Sequence, residues 1–169
     1  MTDIQVTGDK VQLFNSDLRQ QIDDWLVKYP AEQKQSALIP SLHIVQEAND
    51  GWLSESVMKA LAAYLDIPAI SVFEVATFYS MFALKPVGKN KINVCTNISC
   101  QLNGAEDIVA HVKQRLGIDL GETTNDGKIT LNEVECLGAC CGAPMMQVNR
   151  DYHEHLTAGK VDQILGELE

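Results

Sequence analysis

Four of the five cysteines fall into two clusters, Cys95-x4-Cys100 and Cys136-x3-Cys140, separated by residues 101–135. If the four act together, the chain between them must bring both ends to one place, and that requirement constrains the fold more than any other feature. Thiolates gathered from two loops form a soft, anionic cage of the kind that holds zinc or an iron–sulfur cluster. Two loops that each give two sulfurs suit one thiolate pair per iron of a [2Fe–2S] rhomb. Zinc stays open beside it, although zinc sites favour tighter C-x2-C knuckles. A thiol-redox site ranks third because no C-x-x-C is present, and a disulfide staple ranks last for an intracellular chain. Cys141 adjoins Cys140 and could replace it only by lengthening the loop to x4, so it reads as a packing cysteine and a spare ligand. Gly104, Gly138 and Gly142 surround the sulfurs, where a missing Cβ lets backbone N–H groups approach them. For Gly104, a plain turn at the start of a helix explains the residue equally well.

Composition narrows the setting. With 169 residues, 46% hydrophobic and 21% charged, the chain has globular character and length for one ordinary domain or two small ones. The net charge of −10 is shared equally between residues 1–85 and the remainder. No basic footprint for nucleic acid or anionic lipid is present, so neither is expected as a partner. The segment MTDIQVTGDK lacks the basic and apolar regions of a secretory signal, and no apolar run nears the roughly 20 residues that span a bilayer. A soluble protein of the reducing cytoplasm is expected, where clustered cysteines are more often metal ligands or redox groups than disulfides.

Periodicity divides the chain. Residues 1–15 show none and read as a loose arm. Ser16 then caps a helix carrying Leu18, Ile22, Trp25, Leu26 and Tyr29, stopped by Pro30. A second helical stretch covers residues 32–48, with Pro40 marking either a kink or the true first turn. After the Asn49-Asp50-Gly51 turn, Ser54 caps a helix with Val57, Leu61, Tyr64 and Leu65 on one face. Ser71-x-x-Glu74 resembles a capping box opening the helix VFEVATFYSMF, whose aromatic run is expected mostly in the core. Residues 16–88 thus form a helical domain. From residue 89 to 169 the pattern becomes β-α-β-β-β-α. A strand over 91–95 runs into the first cysteine pair, a helix covers 104–116, and a strand around Ile129 and Leu131 leads to the second pair. A hairpin through residues 149–151 and a helix capped by Thr157 complete the order.

Catalytic motifs are missing: there is no G-x-G-x-x-G, Walker loop, H-E-x-x-H or G-x-S-x-G. His43 and His111 fall on helices, while His153 and His155, on one strand face of the hairpin, read as surface residues. A chain with a redox cluster and no catalytic apparatus carries electrons for a partner.

Several separated motifs resemble one known family. Gly51-Trp52-Leu53, Ile67-Pro68, Val75-Ala76-Thr77-Phe78-Tyr79, Pro86-Val87-Gly88, Cys95-x4-Cys100-x3-Gly104 and Cys136-Leu137-Gly138-Ala139-Cys140 with Pro144 occur in the order found in one family of NADH:quinone oxidoreductase, respiratory complex I. That family is the 24-kDa subunit, which in bacteria is the E subunit. The similarity spans roughly residues 16–168. It implies an α+β fold, a helical bundle followed by a thioredoxin-like [2Fe–2S] ferredoxin domain. It also implies that Cys95, Cys100, Cys136 and Cys140 ligate one [2Fe–2S] cluster, leaving Cys141 as a non-ligand. FMN and NADH are expected on the partner subunit only, which passes one electron to the cluster. The chain would be peripheral to the inner face of the cell membrane through the complex, with no insertion of its own. Equivalent subunits serve NAD-linked hydrogenases and formate dehydrogenases, and a zinc-stabilised interaction module or a free ferredoxin would also account for four thiolates.

Overall fold

The computed structural model describes residues 14–168. The expected loose arm lies outside the described residues except for Phe14 and Asn15, and Phe14 is buried, its ring edge-on to Tyr64. The chain divides into two compact units after Pro86.

The first unit is helical: α1 Ser16–Leu26, a 3-10 stretch Ala31–Ala37, α2 Leu38–Ala48, α3 Glu55–Leu65 and α4 Ala69–Phe78. Its core is drawn from one face of each helix, including Ile22, Leu38, Leu42, Val45, Val57, Leu61, Leu65, Val72 and Ala76. The helix starts correct two expectations. Asn15, not Ser16, caps α1, its Oδ1 accepting the Leu18 N–H at 2.9 Å. Asn15 has the extended backbone that a capping residue needs, and Ser16 is already helical. Ser71 caps nothing: α4 begins two residues earlier, behind Pro68, whose fixed φ suits a helix start without a side-chain bond. Ser54 does cap α3, accepting the Val57 N–H. Pro40 proves to stand in the first turn of α2, where its missing N–H costs no helical bond. The helix α4 ends at Phe78, well before Phe82. Phe82 is buried against His43, whereas Phe78 is 80% exposed and Tyr79 and Met81 are also exposed. The aromatic run is therefore divided: Phe73 and Phe82 pack into the core, while Phe78 at the end of α4 and Tyr79 just beyond it face outward.

The second unit holds β1 Asn90–Cys95, α5 Ile98–Leu102, α6 Ala105–Leu116, β2 Glu122–Thr123, β3 Ile129–Val134, β4 Met146–Val148, β5 Asp151–His153 and α7 Ala158–Leu168. The strands form one mixed sheet in the order β2-β3-β1-β4-β5. β1 and β3 run parallel, with Ile92 opposite Leu131 and Cys95 opposite Val134, and the other pairs are antiparallel. Alternation places Ile92, Val94, Ile129, Leu131, Met146 and Val148 in a core with Ile108 and Val112 of α6 and Val161, Ile164 and Leu165 of α7. Two short elements were not foreseen, α5 inside the first cysteine loop and the edge strand β2. Each is too short to show a period. The parallel alignment sends the C-terminal ends of β1 and β3 in one direction, so both cysteine loops leave the sheet at the same end.

Candidate metal centre

Cys95 is the last residue of β1, and its N–H donates to the Met145 carbonyl at 3.2 Å. The next residue, Thr96, donates its N–H to Val134 O, so the strand end is tied to a neighbour on each side. Asn97 precedes α5, which places Cys100 in mid-helix with its side chain buried. Cys95, Cys100, Ala105 and Met145 form a small core of their own, flanked by Leu137, Ala139 and Ala143. Burial pushes the Cys100 thiol up to about 11, helped by its hydrogen bond to Cys95 and the nearness of Cys140. The Met145 N–H, bonded to the same sulfur, acts in the opposite sense. These contacts bring Cys95, Cys100 and Cys140 into one neighbourhood. Cys136, Cys140 and Cys141 are exposed. Among the described residues, no three ligating side chains are drawn together tightly enough to hold a metal ion.

The second loop is braced from the hairpin. The Tyr152 hydroxyl donates to Leu137 O at 2.8 Å, the His155 N–H to Gly142 O at 2.6 Å, and the Leu156 N–H to Pro144 O at 2.9 Å. The Ala143–Pro144 bond is cis. Gly138 takes φ +76°, a left-handed backbone, and aims its N–H at Cys136 Sγ, 3.4 Å away. Gly104 also has positive φ, but it starts α6 and donates to Gln101 O, which is the turn role. Gly142 is buried, and a Cβ there would strike the side chain of Glu154. Sequence reasoning missed the bracing by Tyr152 and the 154–156 segment. The hairpin itself was legible, but its proximity to the cysteines is tertiary.

The histidines stand apart. The His43 ring lies tilted against Phe82, and His111 Nε2 lies 2.9 Å from Asp162 of α7. The expectation that His153 and His155 share a strand face fails, because β5 ends at His153 and His155 turns to φ +50°. A cleft of about 470 Å³ runs beside α6, lined in part by Thr96, Gln101, Glu106, Lys113 and Glu133.

As a donor set, these residues fit a [2Fe–2S] group. Two loops supply soft sulfurs from one end of a sheet, an apolar shell surrounds the inner pair, and backbone N–H groups point at Cys100 and Cys136. Comparison with known proteins agrees with that fit. The profile of the thioredoxin-like [2Fe-2S] ferredoxin family matches residues 22–169. The chain belongs to this family. Among its [2Fe-2S] ferredoxin relatives, the E subunit of the NADH-quinone oxidoreductase of Rickettsia bellii is 48% identical over 86% of this chain and 87% of its own length. That of Rickettsia conorii is 46% identical over 87% of this chain and 88% of its own. The mitochondrial NADH dehydrogenase [ubiquinone] flavoprotein 2 of Dictyostelium discoideum is 44% identical over 87% of this chain and 60% of its own. The two Rickettsia relatives are, by name, subunits of an NADH-quinone oxidoreductase. An NAD+-reducing [NiFe]-hydrogenase in its air-oxidised state shares the fold at TM-score 0.68 and 19% identity, over 83% of this chain. The match spans about a quarter (24%) of that hydrogenase chain.

Proposed function

We propose that this chain is the electron-carrying subunit of an NADH:quinone oxidoreductase, with Cys95, Cys100, Cys136 and Cys140 as ligands of one [2Fe–2S] cluster. The observation that carries the reading is the parallel β1–β3 pair, which delivers both cysteine loops to one end of the sheet in a chain 48% identical to a relative from such an oxidoreductase. Bound there, the cluster supplies one-electron storage and transfer. The chain's own residues do the rest. Ala105, Met145 and Leu137 keep water from Cys95 and Cys100. The Met145 and Gly138 N–H groups stabilise negative charge on the sulfurs of Cys100 and Cys136. Each thiol loses its proton on becoming a ligand, and for Cys100, held at about 11, metal binding must displace that proton at neutral pH.

The electron arrives from FMN on a partner subunit that also binds NADH. Two features support a partner. Ile98 and Leu102 are 62% and 79% exposed on either side of Cys100, one helical turn apart, and Ile70 and Phe78 leave further apolar surface on the helical unit. The cleft beside α6 carries two carboxylates against one ammonium, which disfavours a dinucleotide's phosphates. Through its complex, we place the chain at the cytoplasmic side of the membrane, as a peripheral component. No helix among the described residues is long and apolar enough to cross a membrane. The hydrogenase likeness favours a second reading, an equivalent subunit of an NAD-linked hydrogenase. The subunits that copurify with this chain separate the two.

Anaerobic purification with iron, sulfide and zinc analysis tests the cluster, using EPR before and after dithionite. Two irons and two sulfides with a signal only on reduction are expected. One zinc without sulfide, persisting after reconstitution, would refute it. Among single variants, Cys100→Ala and Cys136→Ala are expected to lose the cluster and Cys141→Ala to keep it. Full iron in the Cys136 variant would remove that residue from the ligand set.

A further inference from the structure

The second cysteine loop, residues 136–144, reads Cys-Leu-Gly-Ala-Cys-Cys-Gly-Ala-Pro and carries no Asp, Glu, Lys or Arg of its own. One carboxylate from elsewhere lies against it. A methyl built on Gly142 would fall 2.5 Å from Cδ and 2.6 Å from Cβ of Glu154, and nearer still to Oε2. Glu154 therefore folds its side chain back over the turn, into space that only a glycine leaves open. The backbone beyond it is fastened to the same loop, His155 N–H to Gly142 O and Leu156 N–H to Pro144 O. These bonds fix the backbone that carries Glu154 against the loop, and its carboxylate lies at Gly142, two residues past Cys140 and next in sequence to Cys141. The Lys160 ammonium bonds the Glu154 carbonyl oxygen at 2.5 Å, bringing a cation to the same residue.

We infer that Glu154 is a tuning residue: its carboxylate, admitted by Gly142, lowers the midpoint potential of the cluster held by the four cysteines. This rests on the ligand assignment proposed above. Reduction in a titration takes one electron from dithionite and adds one negative charge to the site. A fixed charge of the same sign nearby opposes that addition, and its effect reaches several ångströms where burial limits screening. Lys160 acts in the opposite sense.

The test is an EPR-monitored potentiometric titration of the whole cluster-loaded chain at one pH. In Glu154→Gln, the reduced-to-oxidised ratio at the wild-type midpoint rises about three- to tenfold, tenfold being about 59 mV for one electron. Lys160→Met moves the ratio the other way. Gly142→Ala, which displaces the carboxylate without removing it, moves it in the same direction as Glu154→Gln and serves if that variant fails to load. A Glu154→Gln midpoint unchanged within twofold, at full iron and sulfide, overturns the inference. Shifts of the same sign in Glu154→Gln and Lys160→Met also overturn it, because a structural disturbance would then explain both. Failure of the wild-type chain itself to hold iron and sulfide refutes the ligand assignment instead, so the two failures are distinct.

Discussion

Gly88 and Gly138 differ in what they demand of their surroundings. Gly88 is buried ahead of β1, its N–H donating to Thr130 Oγ1 at 2.6 Å, and a Cβ there would lie 2.8–2.9 Å from the backbone of Lys128 and Ile129. Backbone at the start of a paired strand cannot step aside as a side-chain tip can, so Gly88→Ala is expected to cost about 1–3 kcal/mol. Gly138 has open space around the same position, and its need is the left-handed φ alone, so Gly138→Ala costs about 1–2 kcal/mol. Thermal unfolding of the metal-free proteins should therefore show the Gly88 variant melting at or below the Gly138 variant. A Gly88→Ala protein as stable as wild type would mean that β3 has room the structure denies. At this scale the sequence was only partly legible. Glycines near the cysteines stood out, and Gly138 has the expected N–H-to-sulfur contact. Gly88 could be quoted only as part of a motif, because the strand it touches is about forty residues away.

Helices show where local pattern suffices and where it fails. Ser54 was readable because its hydroxyl meets an N–H three residues on, a relation wholly local to α3. Asn15 and Ser16 are both good capping residues, and the choice between them depends on which residue first turns helical. Ser71 matched a capping pattern but lies inside α4, since Pro68 had already started the helix. The distinction is measurable. Asn15→Ala is expected to destabilise the helical unit by about 0.5–2 kcal/mol, whereas Ser71→Ala should change it by less than about 0.5 kcal/mol. Denaturant melts followed by far-UV circular dichroism decide it, and the reverse order would restore Ser71 as the cap. The strands were read well where alternation ran for several residues, as at Ile92 and Val94, and poorly where β2 offers only Glu122 and Thr123.

Over the whole molecule, the two units have cores with no residue in common. All five cysteines belong to the second. A protein consisting of residues 87–169 is expected to fold and to take up the cluster after anaerobic reconstitution. Absence of an S = 1/2 signal on reduction, with the full chain positive under the same conditions, would show that the helical unit completes the site. Correspondingly, Leu61→Ala, which opens a cavity in the helical core, should cost about 2–5 kcal/mol there and leave iron content unchanged. The delivery of both cysteine loops to one end of the sheet was legible because four thiols in two loops have few other uses. How the parallel pairing of β1 and β3 achieves it was not, because strand order is set by residues far apart in the chain.

The four cysteines proposed as ligands divide by depth: Cys95 and Cys100 are buried in a small core with Met145 and Ala105, while Cys136 and Cys140 face water. Loading therefore has a direction. On the proposed assignment, an incoming iron donor would meet the exposed thiols before the buried pair. The same layering makes an alkylation clock. Iodoacetamide added to the metal-free chain should mark Cys136, Cys140 and Cys141 well before Cys95 and Cys100, as read by mass spectrometry, and equal labelling would mean that the inner pocket opens freely.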